Sequence, residues 1–99
     1  MRDKIRLEIT GEDLKFIYGD DYDIFNQKII QNCYCANCKT SYQSTIVNYK
    51  IFLNDLNDII LEGFCKTCNQ PISRYLETGE VEKYQRRIEK VKGKIFKVN

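Results

Sequence analysis

The spacing of apolar residues changes several times along the chain. Ile5, Leu7 and Ile9 alternate with charged residues, which predicts a half-buried N-terminal strand. Residues 10–19, "TGEDLKFIYG", predict a short helix: Thr10 is placed to cap it, Glu12 and Asp13 sit near the positive end of its dipole, and Gly19 can stop it. "DDYDIF" then reads as a loop whose aspartates are solvated, since no calcium-loop spacing is present.

Alternation returns in "STIVNYKIFL", residues 44–53, rich in β-branched and aromatic side chains. Strict alternation places Thr45, Val47, Tyr49, Ile51 and Leu53 on one face and Ile46, Asn48, Lys50 and Phe52 on the other. "NDLND", 54–58, has turn composition, "IILEGFC" runs back from it, and "PISRYLE", 71–77, adds a third strand with Ile72, Arg74 and Leu76 on one side. A helix is predicted over 79–92, with Thr78 as N-cap, Glu80 and Glu82 in its first turn and Gly93 as C-cap. At about 100° per residue, Val81, Tyr84, Ile88 and Val91 fall within about 80° of arc, a packing stripe that extends to Ile95. Lys83, Arg86, Arg87 and Lys90 occupy another arc of about 100° and face outward.

Strands together with two helices predict an α+β fold, and 99 residues with 42% apolar content suit one domain, residues 1–99, with a modest core. Such a core gains from a staple. The start of the chain has no apolar run of signal-peptide length and nothing later approaches a membrane span, so a cytoplasmic protein is expected. In that reducing compartment closely spaced cysteines serve as metal ligands or redox groups more readily than as disulfides.

Five cysteines are present, three of them within "NCYCANCK" at 32–39. Cys35 and Cys38 form one Cys-x-x-Cys pair, and Cys65 and Cys68 form a second after 26 intervening residues. Each short turn brings two sulfurs to one side, and the hairpin between the turns brings the pairs together as a closed tetrahedral site of four thiolates. Sulfur ligands favour zinc, with iron in a rubredoxin-like centre as the alternative. Buried free thiols or a redox dithiol would explain one pair; two matched pairs favour metal. Cys33 is left over and reads as a small buried hydrophobe, although "CYC" permits it to exchange with Cys35 as a ligand.

The two Cys-x-x-Cys pairs flanking a strand-rich hairpin resemble the zinc-ribbon group of small domains over residues 33–77. That resemblance implies a structural metal and a role in nucleic-acid binding or in protein assemblies. Lys39 and Asn69 stand where such knuckles often carry glycine; Asn accepts the left-handed conformation more readily than Lys.

The chain contains no histidine, which excludes Ser-His and Cys-His catalytic pairs and imidazole metal ligands. A non-enzymatic binding module is therefore expected. Net charge is only +2, yet residues 83–99 hold seven basic side chains against Glu89 alone, while residues 11–25 hold five acids against one lysine. The basic helix face suits nucleic acid, bound weakly through phosphates by Lys83, Arg86, Arg87 and Lys90, with the lysine or tyrosine side chains of the ribbon hairpin beside them. Three other readings stand beside it: a solvated face attracted to the acidic segment of the same molecule, the stripe of Val81, Tyr84, Ile88, Val91 and Ile95 as a pairing seam with another chain, and a protein-interaction module with contact area from Tyr42, Tyr49 and Phe52.

Overall fold

A computed structural model describes residues 6–38 and 44–95. The fold is α+β. Strands β1 (Leu7–Ile9), β2 (Ile46–Leu53), β3 (Ile59–Cys65) and β4 (Pro71–Leu76) form an antiparallel sheet in the order β1-β2-β3-β4. Helices α1 (Gly11–Tyr18), α2 (Tyr22–Phe25) and α3 (Glu82–Ile95) complete it. The expected N-terminal strand forms and pairs with β2, Leu7 opposite Leu53 and Ile9 opposite Ile51, so that it belongs to the same sheet as the hairpin.

Thr10 caps α1 through a reciprocal capping box, in which its hydroxyl accepts from the Asp13 N–H and the Asp13 carboxylate accepts from the Thr10 N–H. The segment expected as a loop is instead helical. A 3-10 turn at Gly19–Asp21 leads into α2 and then a π-turn at Asn26–Ile30. Tyr18, Tyr22, Phe25 and Ile29 recur at helical spacing beneath the acids, and the Tyr18 and Phe25 rings stack with centroids 4.3 Å apart. Burying that apolar stripe outweighs the polar appearance of the run.

Strict alternation also fails in β2. Ile46, Ile51 and Leu53 are all buried, although Ile46 and Ile51 have opposite parity. The pairing with β3 shifts between Val47 and Lys50, and Asn48 takes a left-handed φ of 51°, so a β-bulge reverses the parity midway. Gly63 on β3 faces this bulge, and a Cβ there would lie 2.7 Å from Tyr49 Cβ and from the Val47 carbonyl oxygen. Tyr49 thus packs against the core rather than offering itself to a partner.

The β2–β3 turn runs as the sequence predicts, with Asn57 at φ 64° and the Asn54 side chain accepting from the Leu56 and Asp58 N–H groups. This turn also explains why α3 begins at Glu82 rather than at 79. The Thr78 hydroxyl donates to the Asn57 carbonyl and the Gly79 N–H to Asp58 Oδ1, so Thr78–Glu80 forms a separate 3-10 turn anchored to the hairpin. Gly79 lies so close to Leu56 that no Cβ fits. Val81 is then extended and 40% exposed, outside the packing stripe, whereas Ile88 and Val91 are buried and Tyr84 partly so. Gly93 does not stop α3. Lys94 Nζ reaches Asp13 Oδ1 at 2.9 Å, and Lys92 donates to Asn54 O and Asn57 Oδ1, which holds the last turn on both sides. Ile95, proposed as an extension of the stripe, is 39% exposed.

The core lies between the helices and one sheet face, with Leu14, Ile17, Leu53, Ile59, Leu61 and Ile88 essentially inaccessible. Among the described residues, no helix is long and apolar enough to cross a membrane.

Candidate metal centre and basic face

The first cysteine pair follows the π-turn; the second begins at the last residue of β3. Ile46 pairs with Cys65 across β2–β3, and Cys33 forms a bridge with Ser44, so the segments leading into both knuckles are held at one end of the sheet. In the second knuckle the Asn69 N–H donates to the Cys65 carbonyl at 2.8 Å, and Asn69 adopts φ 68°, the left-handed turn that its residue type tolerates. Lys39, its counterpart after the first pair, lies outside the described residues, as does Tyr42.

All four sulfurs of Cys35, Cys38, Cys65 and Cys68 lie within 4.8 Å of one another. Cys35 and Cys68 approach to 3.5 Å, and Cys38 and Cys65 to 3.8 Å. A tetrahedral ion with metal–sulfur bonds of about 2.3 Å sets its sulfurs about 3.8 Å apart, so the arrangement fits a four-thiolate site. Cys35 and Cys65 are buried, while Cys38 and Cys68 are partly exposed.

The surroundings favour thiolate at the second pair. The Cys65 thiol is lowered to about 6, chiefly by the Cys68 backbone N–H and then by the Ser44 hydroxyl. Cys68 is lowered chiefly by the Gln70 backbone N–H and then by the Asn37 side chain. Cys38 moves the other way, to about 12, chiefly through its hydrogen bond with Cys68. Four adjacent sulfurs cannot all carry negative charge unaided, and a cation among them would remove the conflict. Cys33 stands apart: its thiol is buried, turns to the Ile29 carbonyl at 3.1 Å, and is pushed up by burial.

The four basic residues of α3 occupy differing surroundings. Lys83 pairs with Asp21 at 2.8 Å while its side chain remains 54% exposed, and Arg86 pairs with Glu82 one turn back at 2.6 Å. Arg87 is partly buried and donates to the Ile17 carbonyl at 2.9 Å. Lys90 is exposed and, among the described residues, makes no ion pair. The acidic segment thus meets the basic helix within one molecule, at Asp21 with Lys83 and at Asp13 with Lys94. Tyr84 joins the first contact by donating to Asp21 at 2.7 Å. Reading α3 alone could not reveal these acceptors, which come from elements more than sixty positions away.

The chain matches no protein-family model, no curated protein and no solved structure.

Proposed function

We propose that this protein is a non-enzymatic module with a zinc ion held by Cys35, Cys38, Cys65 and Cys68, and that it binds nucleic acid weakly through α3. The convergence of the four sulfurs within 4.8 Å carries the first half of this reading. Four thiolates fill a tetrahedral shell, leaving no position for an activated water, and the chain has no histidine to serve as a base. Zinc is favoured over iron as the common ion of structural tetrathiolate sites; a red protein would bring the electron-carrier alternative forward.

The second half is supported by Lys83, Arg86 and Lys90, which are exposed on one helix. The Lys83–Asp21 and Arg86–Glu82 pairs are at the surface, where such contacts are worth only about 0–1 kcal/mol and are screened by salt. Metal analysis of protein purified without added metal should give one zinc per chain. Titration with oligonucleotides at several salt concentrations should give a log–log slope of about −2 to −3 if Lys83, Arg86 and Lys90 each neutralise one phosphate. Changing Lys83, Arg86, Arg87 and Lys90 together to Gln should flatten that slope and leave zinc content intact. Absence of binding at low salt would instead favour a protein-interaction module, to which the exposed Leu56 and Val81 offer contact area.

A further inference from the structure

The helices cover the sheet face that carries Ile9, Ile51, Leu61 and Leu76. Register turns Phe52, Ile60, Glu62, Phe64, Ser73 and Tyr75 to the opposite face. There Phe64 is 41% and Tyr75 50% exposed, with the Tyr75 hydroxyl held by Asn54 and Asp58. A depression of about 530 Å³ opens beside Phe64, next to the bulge in β2. Pro71 pairs directly with Phe64 and forms the apolar side; Lys50, Glu62, Ser73 and Asn48 form the polar side.

Charge in this depression is biased by a neighbouring contact. Glu62 is paired with Arg6 at 2.7 Å, and Arg6 also lies 4.4 Å above the Phe52 ring, a cation on an aromatic face. Lys50, directly opposite Glu62, makes no ion pair among the described residues. Glu8 lies further along the face, opposite Phe52. The depression therefore offers an aromatic surface, hydrogen-bonding groups and, in Lys50, a cation that makes no ion pair among the described residues, on a sheet face where Arg6 and Lys50 balance Glu8 and Glu62. These features suit a flat base with a phosphate beside it. Bases paired and stacked in a duplex do not present a free face, whereas those of a single strand do.

We propose that this open face binds single-stranded nucleic acid, with an unpaired base stacked on Phe64 and a neighbouring phosphate against Lys50. It shares its ligand class with the reading of α3 but uses the other side of the sheet, so the two surfaces can be tested separately. The chain has no tryptophan, so Phe64→Trp introduces a single reporter that preserves a stacking surface. Oligo-dT and oligo-U should quench the introduced indole, while the matching duplex should leave it unchanged.

In otherwise unaltered protein, Phe64→Ala should weaken oligo-dT binding about tenfold, the size of one lost stacking contact, with zinc content and melting temperature retained. Lys50→Gln, which needs no repacking, should weaken binding and reduce its salt dependence, and so serves if Phe64→Ala proves unstable. Oligonucleotide binding that ignores both Phe64→Ala and Lys50→Gln would overturn the inference while leaving the α3 reading in place. Absence of any oligonucleotide binding would overturn both. Indole shifts that depend on protein concentration alone would assign the depression to a second copy of the chain and also overturn it.

Discussion

Removing the metal should lower the melting temperature by roughly 12–24 °C even at the weak end of structural zinc affinity. Zinc in small structural sites contributes about 10–16 kcal/mol of apparent binding energy near neutral pH, and the lower figure corresponds to an apparent Kd of about 50 nM. At about 10 μM free zinc, mass action stabilises the folded state by about 3 kcal/mol. In a chain of 99 residues each kcal/mol moves the midpoint by about 4–8 °C. The geometry supports a structural effect of this kind, because the two knuckles join otherwise separate segments and both Cys35 and Cys65 are buried. The assay is a thermal melt under reducing conditions, with zinc or with a zinc chelator, followed by circular dichroism. Cys65→Ser should melt near the chelated parent, whereas Cys33→Ser, whose hydroxyl can still donate to the Ile29 carbonyl, should melt near the zinc-loaded one. Protons compete with the ion for sulfur, so the zinc-dependent increment should shrink as pH falls. Coincident melts with and without zinc, in a protein shown to bind one ion per chain, would refute the structural role.

Ile88→Ala, at a fully buried position, should cost about 2–5 kcal/mol in urea unfolding, while Val81→Ala should cost under about 0.5 kcal/mol because Val81 lies outside the stripe. Gly63→Ala should destabilise by about 1–3 kcal/mol through the clash with Tyr49 and the Val47 carbonyl; an unchanged urea midpoint would contradict the close packing at the bulge. Burial raises Asp13, but hydrogen bonds from Lys94 and Thr10 outweigh it and hold the carboxyl below its ordinary value. Its contribution is therefore present above the unfolded value of about 3.9 and lost as pH falls through the lower folded one. Asp13→Asn should be less stable than the parent at neutral pH, and that difference should close below about pH 4.

The candidate site was largely legible because short-range spacing encodes it: two Cys-x-x-Cys turns need only a hairpin to meet. The strands were legible from alternation, up to the point where Asn48 adopts a left-handed conformation and reverses it. The cue within "VNYK" is Asn48, a residue type that tolerates the left-handed conformation, but the bulge itself is set by the pairing of β2 with β3 at Gly63. Residues 20–25 have the polar composition of a loop, while the helix there is encoded in the spacing of Tyr18, Tyr22, Phe25 and Ile29. Thr78 has the right chemistry for a helix cap, but a carbonyl 21 positions earlier uses its hydroxyl. The partners of Lys83 and Arg87 were likewise out of reach, because they arise only when α3 meets α1 and the 3-10 turn that follows it.

The contact between α1 and α3 also bears on the order of folding. Strands β2, β3 and β4 succeed one another through short connections, so their pairing closes small loops and is entropically cheap. Lys94 and Asp13 stand 81 positions apart, and Arg87 and Ile17 stand 70 apart. Because α3 follows every element on which it packs, the apolar side of α1, with Leu14, Ile17 and Tyr18, lacks its final cover throughout synthesis of the sheet. A nascent or truncated chain ending before α3 therefore presents that side to solvent, where chaperones or other incomplete chains can meet it.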